Sequence, residues 1–184
     1  MTSNRTTTRA AFALAALVCA ALLGFGYYLQ YGPQGLEPCP LCLVQRGFFY
    51  AVLGVSLVAA IHGPRGAGIT VYGIVAALFA AGGFAVAARQ VWLQHLPPDR
   101  VPACGPDLYF MLENFPLSRV LQTLVKGTGE CAVVDWTFLG LSIAEWSLAC
   151  FAALFFYALW LAFRRRRSAA APDMTFPEVD GKYR

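Results

Sequence analysis

Charge is what this chain has least of. Only 13% of its 184 residues are Asp, Glu, Lys or Arg, whereas 58% are hydrophobic, and the mean hydropathy is +0.56. Soluble domains carry roughly a quarter of their residues charged, so a water-soluble fold of this size is excluded. With two histidines in all, the chain has no His cluster for a metal. It also lacks a G-x-G-x-x-G fingerprint, a phosphate-binding glycine loop and a haem-type C-x-x-C-H, so no dinucleotide, nucleotide or attached haem has a recognisable seat. No internal repeat stands out. What remains is membrane chemistry carried by a few polar side chains.

The sparse charges leave four uncharged runs, at 10–36, 47–64, 66–88 and 146–163. Each reaches the ~18 residues at which an apolar stretch becomes a candidate spanning helix. The first is read as a retained span, because it outruns a signal-peptide core and "YYLQYGPQG" offers no small-x-small cleavage site. Basic residues set the orientation. Arg5 and Arg9 precede the first span, Arg65 sits between the second and third, and Arg164 to Arg167 follow the fourth, so these ends are expected in the cytoplasm. The net charge of +4 is therefore a topology signal, with no nucleic-acid meaning.

The expected organisation is an all-α membrane protein, a bundle of four transmembrane helices at 10–30, 46–63, 69–89 and 143–163. A cytoplasmic N-terminus (1–9), a cytoplasmic turn (64–68) and a cytoplasmic tail (164–184) lie on one side. Two extracytoplasmic loops, 31–45 and 90–142, lie on the other. Tyr27, Tyr28 and Tyr31 mark the outer headgroup level, as do Trp136 and Trp146. The Ala- and Gly-rich third span suits close contact inside the bundle. In the second loop Leu117, Val120, Leu121, Leu124 and Val125 recur at helical spacing, with Ser118, Arg119, Gln122 and Lys126 turned away. This predicts a short amphipathic helix lying on the membrane surface; packing on the rest of the loop is the alternative.

Six cysteines divide by position. Cys19 and Cys150 lie within spans and are read as small buried hydrophobes. Cys39, Cys42, Cys104 and Cys131 lie in the outer loops, where an oxidising compartment favours disulfides. A bridge between residues as close as Cys39 and Cys42 removes little unfolded-chain entropy, so redox work explains their spacing better than stapling does. A C-x-x-C pair at a helix start can hold a thiolate, with the helix N-terminus and a nearby cation as support. Arg46, one turn after Cys42, is that cation. A snorkelling Arg at a span end is the blander reading, but the positive-inside tendency would place it on the other face. Two cysteine pairs on one side can pass oxidising equivalents by exchange, and the electrons then need an acceptor. A small lipid-soluble oxidant reached at the membrane edge fits, and a quinone is one.

"PCPLCLVQR", "RQVWLQHLP", Cys104 and Cys131 in the long loop, and "WTFLGLS" before the last span together resemble the DsbB family of bacterial disulfide-bond formation proteins over about residues 10–165. The resemblance implies an inner-membrane thiol–disulfide oxidoreductase that reoxidises a DsbA-like periplasmic thiol oxidase. It implies ubiquinone or menaquinone as diffusible acceptor, with no metal and no flavin. Cys104 would take the mixed disulfide with the partner, Cys131 would communicate with Cys39, and Cys42 would face the quinone beside Arg46. Gln90 and Gln94 match a quinone-lining region, although Gln90 stands where some relatives are expected to carry His. Two other classes compete: a Cys₄ metal or transport protein, which would want a second knuckle-like C-x-x-C, and a scaffold with stapled loops, which leaves Arg46 unexplained.

Overall fold

The computed structural model describes residues 3–102 and 108–169. Six α-helices, two 3₁₀ turns and one small hairpin make up the described residues. Four helices are long and apolar enough to cross a membrane: α1 (Ser3–Tyr31), α2 (Pro40–His62), α3 (Ala67–Gln94) and α6 (Ile143–Ala169). The protein is therefore a multi-pass membrane protein built as a four-helix bundle. Leu17, Ile61, Leu78 and Phe156 are each 67% exposed on its outer surface. Such large apolar side chains are at home in hydrocarbon rather than in water.

The bundle is held by small residues on α3. Ile69, Gly73, Ala76, Ala77, Ala80, Gly83 and Ala87 are buried along one stripe, and α3 packs against both α2 and α6. A Cβ at Gly73 would lie 2.8 Å from that of Ala162, and one at Gly83 would run into the ring of Phe151. That close approach lets Phe151 stack on Phe49 of α2, with ring centroids 4.0 Å apart. In lipid, where hydrophobic burial drives association little, such backbone proximity supplies the packing energy. α1 joins through α2, and Arg9 Nε donates to Ala60 O at 2.8 Å near the Arg65 end.

The helices outrun the apolar spans expected from the sequence. Capping chemistry sets their ends, whereas hydropathy sets only the lipid-facing stretch. α2 starts at Pro40, because Pro suits the first helical position, and it stops where Gly63 takes a left-handed φ of 64°. α3 continues to Gln94, and α6 continues through Arg164–Arg167 to Ala169. Cys42, Arg46, Gln90 and Gln94 thus all stand on helices.

At the other end of the bundle, the described residues between α3 and α6 form a cap with α4 (Leu108–Asn114), α5 (Leu117–Lys126) and a 3₁₀ turn at Gly129–Ala132. α5 occurs where the periodicity predicts it and packs against α2 and α4. Of the predicted stripe, Val120 is buried and Leu117 is 65% exposed, while the side chains of Leu121, Leu124 and Val125 lie outside the described residues. The sequence reading has no counterpart for the hairpin of β1 (Thr137–Phe138) and β2 (Leu141–Ser142). Its turn, Leu139 at φ 54° and Gly140 at φ 81°, has the paired positive φ values of tight hairpin turns. The hairpin runs straight into α6, where Ser142 N donates to Glu145 Oε2 (2.7 Å) and Glu145 N to Ser142 Oγ (3.2 Å). This reciprocal pair is a capping box.

Candidate active site

Pro40 prepares the site twice. Preceding a proline restricts Cys39 to extended backbone, and Cys39 has φ −63° and ψ 161°, which makes it the N-cap of α2. An N-cap side chain accepts from the first-turn amides; here Cys42 N donates to Cys39 Sγ at 3.4 Å. The two sulfurs lie 2.8 Å apart without a bond between them. Cys42 occupies the third helical position, where the unsatisfied N–H groups of the helix start favour a thiolate.

From α3, Gln90 reaches both sulfurs. Its Nε2 donates to Cys39 Sγ and Cys42 Sγ, each at 3.3 Å, while its Oε1 accepts from Gln45 Nε2 at 2.6 Å and from Cys42 Sγ at 3.6 Å. Both Gln45 and Gln90 are buried. Gln45 and Gln30 are participants that sequence reasoning missed. The signal was available, since an amide within an otherwise apolar helix is costly unless it has a partner.

Arg46 lines the same cavity as Cys42, as their one-turn spacing predicts. Its hydrogen bonds, however, go to α1 rather than to a sulfur. Nη1 donates to Gln30 Oε1 at 2.5 Å and Nη2 to Gly26 O at 3.1 Å, with the guanidinium 4.8 Å from the Tyr27 ring centroid. Amide and carbonyl oxygens are far better acceptors than a neutral thiol. Gln94 also lines the cavity, and its Oε1 accepts from Ser142 Oγ at 2.8 Å, which ties α3 to the start of α6.

Cys131 arrives from the cap. Held in the 3₁₀ turn with its N–H on Thr128 O (3.0 Å) and its sulfur 3.8 Å from Thr128 Oγ1, it is buried with Leu41 and Leu93, and Cys39 packs against it. The two thiols share a proton unequally. Donation from Cys39 lowers Cys131 to about 6 despite its burial, with help from the Leu41 and Thr128 backbone. Cys39 is pushed far up by holding that proton between Cys131 and Cys42, and by burial. Whenever Cys131 is reduced, the negative charge of the pair is favoured on Cys131 rather than on Cys39. Cys104, the fourth cysteine expected to act, lies outside the described residues.

The cavity has a volume of about 820 Å³, within the range of small-molecule sites. Leu22, Leu29, Phe49, Trp136 and Trp146 supply apolar walls, and Cys42, Gln45, Arg46, Gln90 and Gln94 supply polar groups. Trp136 stacks on Phe138 and meets Phe25 edge-on, while Trp146 Nε1 donates to Phe138 O (3.1 Å), so the hairpin forms one side of the opening.

Close thiols at a helix start beside an apolar cavity, in a bundle of membrane-crossing helices, define a membrane-embedded thiol–disulfide oxidoreductase. The comparisons with known proteins give the particular family. The family model described as Disulfide bond formation protein DsbB matches residues 8–161. Disulfide bond formation protein B of Azoarcus sp. (strain BH72) is 55% identical over 148 residues, covering 80% of this chain and 88% of that one. The proteins of the same name from Marinobacter nauticus and Hahella chejuensis are each 52% identical, over 159 and 154 residues, covering 86% and 84% of this chain and 94% and 92% of theirs. The chain belongs to the DsbB family, and its activity is oxidoreduction in disulfide bond formation.

Proposed function

We propose that the protein reoxidises a DsbA-like thiol oxidase of the periplasm and passes the electrons to a membrane quinone. The cysteine end of the bundle then faces the periplasm of a bacterial inner membrane, and both termini are cytoplasmic, in keeping with the arginines at the opposite end. The observation that carries the reading is the Cys39–Cys42 pair on the wall of a largely apolar 820 Å³ cavity, with Cys131 packed on Cys39.

In this reading a Cys104–Cys131 disulfide accepts two electrons from the reduced partner by two exchange steps. The partner's thiolate bonds to Cys104 and releases Cys131, and the partner's second thiolate then displaces Cys104, leaving the partner oxidised. Cys131 and Cys104 regain their bond at the expense of the Cys39–Cys42 disulfide, which becomes the dithiol. A thiolate at Cys131 suits this step, because thiolate is the attacking species. A bound quinone supplies the final two-electron, two-proton sink. The cavity residues fit such a group: flat apolar and aromatic walls would take the ring and chain, while Arg46, Gln90 and Gln94 would orient the ring oxygens, Arg46 with a full positive charge. Purified protein given reduced DsbA should reduce ubiquinone or menaquinone in proportion to the partner disulfide formed. Partner oxidation without quinone consumption would refute the reading.

A further inference from the structure

Gln45 has no place in the exchange steps, yet it is 4% exposed and makes a 2.6 Å hydrogen bond beside the reacting sulfurs. A primary amide has two faces of opposite polarity. Turning Gln90 by half a rotation about its last bond would replace two N–H donors at the sulfurs with an oxygen. The sulfurs alone enforce that choice weakly, since thiols are poor hydrogen-bonding partners. The Gln45 donor enforces it strongly, because it is aimed at Gln90 Oε1 and would meet an N–H in the turned state.

We propose that Gln45 is a positioning residue for the Cys39–Cys42 couple: its Nε2 fixes the Gln90 amide so that one N–H faces each sulfur. Both sulfurs lie at 3.3 Å from Gln90 Nε2, matching the two hydrogens available. Donation of this kind favours a negatively charged sulfur, which of this pair is Cys42, over sulfur in a disulfide, so it shifts the couple toward the dithiol and makes the disulfide a stronger oxidant. The inference rests on Cys39 and Cys42 being the redox pair of the proposed function. It adds the residue that tunes their balance without touching either sulfur.

The test is the equilibrium of the pair with glutathione, in which one disulfide and two glutathione thiols exchange for one dithiol and one glutathione disulfide. It is read by thiol counting on full-length detergent-solubilised protein in a Cys104→Ser, Cys131→Ser background. Gln45→Met and Gln90→Met should each reduce the dithiol-favouring constant by roughly threefold to tenfold. The double variant should match Gln90→Met alone, because Gln45 acts through Gln90; a merely structural role would not produce that cycle. Should Gln45→Met lose its helical fold, Gln45→Glu carries the test, since its carboxylate would accept from the Gln90 amide and turn the oxygen toward the sulfurs. A constant within about twofold of the parent for the folded Gln45 variant, or additive losses in the double variant, overturns the proposal. A parent pair that never cycles between dithiol and disulfide takes the redox assignment down with it, whereas a cycling parent with unmoved variants refutes the role of Gln45 alone.

Discussion

Two groups of cysteines lie within one turn or two of the same cavity, and they are built in opposite ways. Cys19 packs with Leu23, Phe49, Phe151 and Leu154 in the middle of the bundle, and Cys150 lies against that cluster while also reaching the cavity wall. Cys39, Cys42 and Cys131 meet a helix start, the Gln90 amide and the Thr128 hydroxyl. The inner group is surrounded by groups that disfavour charge, and the outer group by donors that favour it. Position beside a cavity therefore does not decide whether a sulfur can carry charge; the polar groups aimed at it do.

The largest expected effect breaks the comparison at its strongest point. Cys131→Ser should abolish quinone-linked oxidation of the partner and trap a covalent adduct through Cys104, detected as a reducible band and mapped by mass spectrometry. An adduct at Cys39 would reverse the order of the relay. Cys19→Ala with Cys150→Ala should keep turnover within about twofold, at a stability cost of roughly 1–2 kcal/mol for the two small core truncations. Loss of turnover in that double variant would show that the inner pair takes part.

Arg46 sharpens the comparison next. Its guanidinium faces a cavity whose wall includes both Cys42 and Cys150, so a cation acting indiscriminately would activate both. Removing charge-assisted hydrogen bonds of this kind costs about 1.5–3 kcal/mol, so Arg46→Met should weaken the apparent quinone affinity by roughly tenfold to a hundredfold. Arg46→Lys keeps the charge but loses the planar fork, and should fall between Met and the parent. Quinone titrations of turnover check this, with the alkylation rate of Cys150 as the control expected to stay unchanged. Parent-like titrations for Arg46→Met would move the quinone site elsewhere.

The spans, and the placing of Cys39, Cys42 and Arg46 together at the mouth of the second span, were legible because each is local. Uncharged runs, a C-x-x-C beside proline and a charge at the end of an apolar stretch are all visible within a few residues. What could not be read depends on contacts between distant segments. Spacing alone does not bring Cys131 onto Cys39, a meeting that only the family resemblance implied, and nothing in the order of residues aims Gln45 at Gln90 across two helices. Arg46 is the instructive intermediate. Its one-turn spacing from Cys42 placed it in the right cavity, while its hydrogen-bond partners on α1, Gln30 and the Gly26 carbonyl, come from a segment that spacing along α2 says nothing about. The hairpin was missed for another reason: two-residue strands carry too little alternation to register as strands.

The smallest effect tests why Cys131 differs from the inner thiols at all. Cys131 is as thoroughly buried as Cys19, both at 0% exposure, so burial alone would raise its pKa. It sits instead at about 6, below its ordinary value of 9.0, chiefly because the Cys39 thiol donates to it. The linkage has a definite sign: a lowered acid pKa contributes stability above the unfolded value of 9.0, and that contribution fades as the pH falls toward 6. Cys39→Ala removes the largest lowering cause and should move Cys131 up toward its ordinary value of 9.0, with the Leu41 and Thr128 donors still acting against burial. A full return would drop the thiolate fraction at pH 7 by about a hundredfold, while the more basic thiolate reacts roughly twentyfold faster, so alkylation of Cys131 should slow by at most about fivefold. The pH profile is the sharper reading, since its midpoint should move from near 6 to the alkaline side. An unmoved midpoint in Cys39→Ala would assign the low value to Thr128 and the backbone donors, and the outer group would owe its reactivity to the cap rather than to the meeting of two cysteines.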